Sequence, residues 1–184
     1  DEHMVYTKNP NYWDADSIKL DSIRFLLIED ENAAYSAYET GEALVIKSVP
    51  TEEIPSLEGR EDFYVEPLLG TYYISLQTQK EPFNNRDVRE ALSLAIDRDY
   101  VANTVMQGTY SPAGNLIGPG ITDYDGSQFM DNSNGGEPYI STDPADFEAN
   151  LEKAKQLLAD AGYPNGEGFP VIEYLVNDQG YHKA

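Results

Sequence analysis

The chain has 184 residues, of which 33 are acidic and 12 are basic, so its formal net charge at neutral pH is −21. Such a charge repels nucleic acids and anionic membrane surfaces, and no basic cluster interrupts it, so nucleic acid is not expected as a partner. The chain contains no cysteine, which excludes disulfide bonds, zinc–thiolate sites and thiol nucleophiles. Its length is enough for one sizeable hydrophobic core or two small ones.

The first part of the chain combines short apolar runs with turn residues. A short helix is predicted over Asn32–Thr40, because Ala34, Ala37 and Tyr38 share one face and Gly41 can end the helix in the left-handed conformation. Three strands are predicted, the last two apolar enough to be buried on both faces: Met4–Lys8, Ile23–Ile28 and Ala43–Val49. Thr51 can cap a single helical turn.

Two further strands are predicted before the middle of the chain, a short one at Phe63–Val65 and a longer one at Thr71–Thr78. Alternation along the longer strand places Tyr73, Ser75 and Gln77 on one face. The opposite face would then carry Tyr72, Ile74 and Leu76. Tyrosines on a strand commonly pack in a core or across a strand pair, so this pattern alone does not define a site.

The strongest helix signal follows this strand. Asn84 can cap the helix, and apolar residues recur at helical spacing at Val88, Ala91, Leu92, Ala95 and Ile96. A second helix is predicted from Asp97, with Val101, Val105 and Met106 inward and Gly108 at its end.

Residues 109–142 are rich in Gly, Pro, Asn, Asp and Ser, and a loop of this length is usually functional or wraps a surface supplied elsewhere. Asp143 can then cap a helix with Pro144 at its first position and Gly162 at its end. A last strand is predicted at Val171–Val176. The alternation of strands and helices indicates an α/β fold.

The sequence carries no recognisable catalytic, metal or cofactor motif. The acidic runs from Asp123 and Asp131 lack the Gly or the Glu that a calcium loop requires at fixed positions. The two histidines, His3 and His182, lie near opposite ends of the chain. Paired carboxylates arise by chance among 33 acidic residues. We therefore expect no catalytic residue, no metal ligand and no cofactor.

Residues 69–99 form the most distinctive run: LGTYYISLQT, a Pro-Phe pair at Pro82, and VREALSLAIDRD from Val88. This run resembles the signature of oligopeptide and dipeptide receptors, the large solute-binding proteins of ABC importers (extracellular solute-binding protein family 5). Further family motifs occur in the expected order, namely NPNYW from Asn9, TGE from Thr40, AKQLLADAGYP from Ala154 and GFP from Gly168. Two positions depart from the family pattern: Leu76-Gln77 replaces the usual Phe-Asn, and Leu44 replaces an Asp.

The resemblance implies a periplasmic-binding-protein-like fold of type II, with two lobes around a cleft. Family members are well over twice this length, so the chain is expected to be an internal fragment with a partial fold. Residues 1–70 would belong to the first lobe, residues 71–78 would cross the hinge, and residues 79–184 would belong to the second lobe. The family's acidic anchor for the peptide amino terminus is expected beyond Ala184.

The same resemblance implies an extracytoplasmic receptor subunit that binds solute without chemistry, with an oligopeptide as ligand and ABC permease subunits as partners. A lipid anchor and self-association of the fragment are compatible with it. Ligand contacts are predicted at Tyr72, Tyr73, Ser75 and Gln77, because the strand that carries them would cross between the lobes. Three alternatives stay open: a family member for nickel, haem, opines or sugars, a hydrolase that uses clustered carboxylates, and a module that recognises a partner protein.

Overall fold

The computed structural model describes residues 2–66 and 68–176. They form two compact units, one up to Glu58 and the other from Gly59. No helix within the described residues is long and apolar enough to cross a bilayer.

The first unit contains an antiparallel ribbon of β1 (His3–Thr7) and β2 (Ser22–Leu26), close to two of the predicted strands. Tyr6 pairs with Ile23 in the register, and its ring meets that of Phe25 edge to face at 5.4 Å between centroids. The prediction that Ile23–Ile28 is buried on both faces is wrong here, since Ile23 and Phe25 are nearly half exposed. A ribbon of two strands cannot cover both of its own faces.

The helices of the first unit follow their local signals. Asp30 caps α1 (Glu31–Glu39) by accepting a hydrogen bond from the Ala33 N–H at 2.8 Å, and Gly41 follows it with φ of 79°. A 3-10 turn at Thr51–Glu53 leads into α2 (Ile54–Leu57), whose two end residues are buried. The predicted strand Ala43–Val49 is not formed, and Leu44 and Val45 in it are highly exposed.

The second unit is built on the packing of α3 (Arg86–Leu94) against α5 (Phe147–Asp160). The buried residues at their contact are Ala91, Leu94 and Ala154. The predicted inward stripe of α3 is therefore partly wrong. Leu92 is partly buried, and Ala95 and Ile96 are exposed, because α5 packs on the face that carries Ala91 and Leu94.

The ends of these helices also differ in detail from the prediction. Asn85 caps α3, one residue after the predicted Asn84, through a hydrogen bond from the Asp87 N–H at 2.8 Å. The predicted helix after Asp97 is a single π-type turn, Tyr100–Val105, that buries Ala102 and leaves Val101 exposed. Asp143 accepts from the Ala145 N–H at 2.9 Å, as a cap of the 3-10 turn that precedes α5.

The long loop has some structure of its own. It contains α4 (Phe129–Asn132), and a single antiparallel bridge joins Thr122 to Gln128. The 3-10 turn Asn134–Gly136 also lies in this loop. Two further 3-10 turns, Ala15–Ser17 and Pro164–Gly166, lie outside it.

Three predicted strands of the second unit, Phe63–Val65, Thr71–Thr78 and Val171–Val176, are not strands in the structure. A β-strand is stable only when a neighbouring strand forms backbone hydrogen bonds with it. No described residue pairs in this way with any of the three segments. Most of their apolar side chains are accordingly exposed, with Val171 and Leu175 each at 96%, whereas Phe63, Leu76 and Val176 are partly buried.

Candidate functional site

The candidate ligand-binding segment, Thr71–Thr78, lies on the surface of the second unit. Tyr72 and Tyr73 are 60% and 64% exposed, so neither ring belongs to the described core. Exposure alone does not assign a ligand contact, since Val171 and Leu175 in another unpaired segment are 96% exposed. Ligand contact by Tyr72 and Tyr73 therefore stays a prediction.

The two weaker candidates, Ser75 and Gln77, are exposed as well. Gln77 also shapes the chain locally: its Oε1 accepts from the Gln79 N–H at 3.3 Å, and its carbonyl accepts from the Lys80 N–H at 3.1 Å. These bonds end the segment in a turn. Together with the tyrosine hydroxyls, the Ser75 hydroxyl and the Gln77 amide offer both donors and acceptors to a polar ligand.

A loop near the middle of the unit borders this segment. A Cβ atom placed on Gly118 would lie 3.9 Å from Thr71 Oγ1, and one on Gly120 would lie 2.5 Å from Leu69 Cδ2. The backbone of this loop therefore lies directly against the residues that precede Tyr72. Sequence reasoning predicted a functional loop in this region but assigned none of its residues to the site, because glycine spacing alone does not show which segment a loop contacts.

An open concavity of about 340 Å³ lies where α3 begins and α5 ends. It is lined by Glu81, Pro82, Asn84, Asn85, Ala161 and Tyr163. None of the four predicted site residues lines it. The geometry does not bring Tyr72, Tyr73, Ser75 or Gln77 into this concavity.

Two acidic side chains have shifted pKa values. A hydrogen bond from Lys153, 2.7 Å away, and the lysine charge lower the pKa of Glu90, and this ion pair joins α3 to α5. Hydrogen bonds from the Ser127 hydroxyl and backbone N–H lower the pKa of Asp125. Both shifts favour the charged form, whereas a general acid of a hydrolase requires a raised pKa. These carboxyls give the hydrolase alternative no support.

No group of three or more His, Asp or Glu side chains within residues 2–66 and 68–176 is arranged to hold a metal ion. The acidic loop from Asp123 satisfies its own oxygens: Asp123 Oδ2 accepts from Asn132 Nδ2 at 3.0 Å, and Asp125 Oδ1 accepts from the Ser127 hydroxyl at 2.6 Å. The acidic side chains of this loop therefore form hydrogen bonds within the loop itself, as Asp side chains commonly do in turns.

Exposed hydroxyl, amide and aromatic groups on one segment are groups with which ligand-binding proteins can hold a polar ligand. The family comparison makes this class specific. The chain belongs to the bacterial extracellular solute-binding proteins, family 5, whose middle region matches residues 1–184.

Two curated relatives illustrate the match. The dipeptide-binding protein DppE of Bacillus subtilis is 30% identical over 158 residues, which is 86% of this chain and 27% of that protein. The periplasmic oligopeptide-binding protein OppA of Escherichia coli is 31% identical over 189 residues, which is 99% of this chain and 32% of that protein. The chain thus spans about a third or less of the length of these relatives.

The solved structures define the fold. A periplasmic oligopeptide-binding protein of Borrelia burgdorferi superposes with a TM-score of 0.73 at 32% identity, over 92% of this chain and 31% of that one. The chain is therefore part of a periplasmic-binding-protein-like fold of type II, as predicted from the sequence. The relatives from Escherichia coli and Borrelia burgdorferi are named as periplasmic oligopeptide-binding proteins.

Proposed function

We propose that this chain is part of an extracytoplasmic receptor that captures oligopeptides for an ABC importer. The observation that carries the proposal is the match to OppA of Escherichia coli, which extends over 99% of the chain at 31% identity. The name of that relative states oligopeptide binding, and the second relative is named for dipeptides. The same proposal gives the receptor ABC permease subunits as partners.

Within this receptor, Tyr72, Tyr73, Ser75 and Gln77 contact the ligand. Receptors of extended peptides gain affinity from hydrogen bonds to the peptide main chain and tolerate varied side chains in wet pockets. The exposed hydroxyl and amide groups of this segment have the donors and acceptors that such bonds need. Aromatic rings next to them provide apolar area for peptide side chains.

We also propose that residues 1–70 belong to one lobe, that residues 71–78 cross the hinge, and that residues 79–184 belong to the second lobe. The division of the described residues into two compact units supports an origin in two lobes, although the boundary along the chain follows Glu58 and so precedes the proposed hinge. Closure of two lobes around a ligand would bury it and present a defined surface to the transporter.

The test is ligand-dependent thermal stabilisation of the intact protein. A ligand present at 100 times its Kd stabilises the folded state by about 2.7 kcal/mol, which is readily measured as an increase in Tm. We expect stabilisation by members of a peptide library and none by haem, Ni²⁺ or a panel of sugars. Stabilisation by one of these non-peptide solutes, with none by any peptide, would replace the proposed ligand by that solute class.

A further inference from the structure

The loop 113–120, which we call the bracing loop, is tied to α3 by the side chain of Arg98. Its Nε donates to the Ala113 carbonyl at 3.0 Å. Its Nη1 and Nη2 donate to the carbonyl and the hydroxyl of Ser93, at 2.8 and 2.9 Å. The guanidinium is planar, and its donors point in fixed directions. A single side chain therefore fixes the start of the bracing loop relative to the end of α3.

A second attachment holds the loop to residues 139–140. The Gly114 carbonyl accepts from the Ile140 N–H at 3.2 Å, and Asn115 Oδ1 accepts from the Tyr139 N–H at 3.0 Å. The approach is so close that a Cβ on Gly114 would lie 2.4 Å from the Ile140 carbonyl oxygen. Ile140 in turn packs on the core between α3 and α5. The loop is thus anchored to the best-packed part of the unit.

The far end of the bracing loop reaches the candidate binding segment. Gly118 lies next to Thr71 and Gly120 next to Leu69. The Gly120 N–H is itself held by Gln128 Oε1 at 2.8 Å. Since Tyr72 directly follows Thr71, the loop connects the helical core to the start of the segment.

We propose that the bracing loop sets the position of Tyr72 and Tyr73, and that Arg98 is the positioning residue that fixes the loop. The candidate segment forms no strand ladder with any described residue, so its position depends on other supports. A binding group that is already held in place loses less conformational freedom when the ligand arrives, and affinity rises accordingly. The affinity part of this inference rests on the proposed function; the positional part does not.

The experiment compares Arg98→Lys and Asn115→Ala with a control, Arg86→Lys, in the intact protein. Arg98→Lys keeps the charge but loses the fork that joins Ser93 to Ala113, and Asn115→Ala removes the second attachment. Arg86 is an exposed arginine on α3, so its replacement by Lys tests the substitution itself. The protein is labelled with 3-fluorotyrosine, and the ¹⁹F resonances of Tyr72 and Tyr73 are assigned by single Tyr→Phe replacements.

Two readouts separate the possible results. We expect the two ¹⁹F resonances to shift or narrow in both test variants, and the affinity for a mixture of random tripeptides to fall roughly tenfold. Both readouts should stay unchanged in the control. If Arg98 were merely structural, Tm would fall while the resonances and the affinity of the folded protein stayed as in the wild type, and that result would overturn the inference. Should Arg98→Lys not fold, unchanged resonances and affinity in Asn115→Ala would overturn it in the same way.

The two readouts also distinguish this inference from the proposed function. A wild-type protein that binds no tripeptide counts against the peptide proposal. The ¹⁹F resonances then decide by themselves whether the loop positions the two tyrosines.

Discussion

Replacing Leu94 by Ala tests the packing that holds the second unit together. Leu94 is 4% exposed and lies between Ala91 and Ala154, with partly buried side chains around them: Ile140, Leu157 and Leu158. Burying a leucine is worth about 1.5–3 kcal/mol, and the cavity left by its removal adds to the loss. Both flanking buried residues are alanines, whose side chains are too short to fill the space. We therefore expect Leu94→Ala to lower the free energy of unfolding by about 3 kcal/mol, within the usual range of about 2–5 kcal/mol.

The measurement is urea denaturation followed by far-ultraviolet circular dichroism, with Leu92→Ala as the matched control. Leu92 lies on the same helix but is only partly buried, whereas Leu94 belongs to the buried cluster with Ala154 of α5. The two variants remove the same atoms and change helix propensity equally. We expect Leu92→Ala to cost less than Leu94→Ala, since more of the Leu92 side chain stays in contact with water.

A loss below about 0.5 kcal/mol for Leu94→Ala would contradict this packing, because a buried leucine cannot be removed so cheaply from a packed core. A larger loss for Leu92→Ala than for Leu94→Ala would show instead that α3 is rotated, with the face predicted from the sequence directed at α5.

Three further outcomes are expected. Tyr72→Ala or Tyr73→Ala should weaken peptide binding by the intact protein about tenfold with little change in Tm, whereas Tyr124→Ala, which removes a 96% exposed ring, should change neither. The Glu90–Lys153 pair stabilises the fold above the ordinary Glu pKa of 4.5, and this contribution disappears as the pH falls through the lowered pKa. Glu90→Gln should therefore cost at most about 1 kcal/mol at pH 7 by urea denaturation, and progressively less as the pH falls through the lowered pKa. Calorimetry of the isolated 184-residue chain should show peptide binding at least about thirtyfold weaker than in the intact protein, because an uncompensated loss of a buried charged partner costs about 2–5 kcal/mol. Submicromolar binding at one site per isolated chain would contradict this last expectation.

The helices of this chain could be predicted because their signals are local. A capping side chain lies within three residues of the turn that it caps. Asp143, for example, caps the turn that begins at Pro144. Gly41, Gly108 and Gly162 all adopt positive φ at or near the predicted ends. The inward face of α3 was harder to predict, because Val88, Ala91, Leu92, Leu94 and Ile96 are all apolar and only the position of α5 decides between them.

Strands depend on partners that can lie anywhere in the chain, so composition alone does not establish them. Ile23–Ile28 and Val171–Val176 have similar apolar character, but only the first contributes to a strand with a described partner. The relatives are about three times longer than this chain, and residues outside the match can provide pairing that a local pattern cannot reveal. An apolar segment rich in strand-forming residues therefore indicates that a pairing strand is required, but it does not identify that strand.

The same distinction applies to the candidate site. Alternation places Tyr72 and Tyr73 on opposite faces only if residues 71–78 are a strand with fixed pairing. The described segment is not a strand, so alternation does not set the directions of these two rings, and both are exposed. Their orientation then depends on the contacts of the preceding residues, which in the structure come from a loop about fifty residues further along the chain. Arg98 belongs to the most recognisable motif of the sequence, but its bond to Ala113 is specified by the tertiary fold. A motif can thus identify a residue as important while its physical role becomes visible only when the chain is folded.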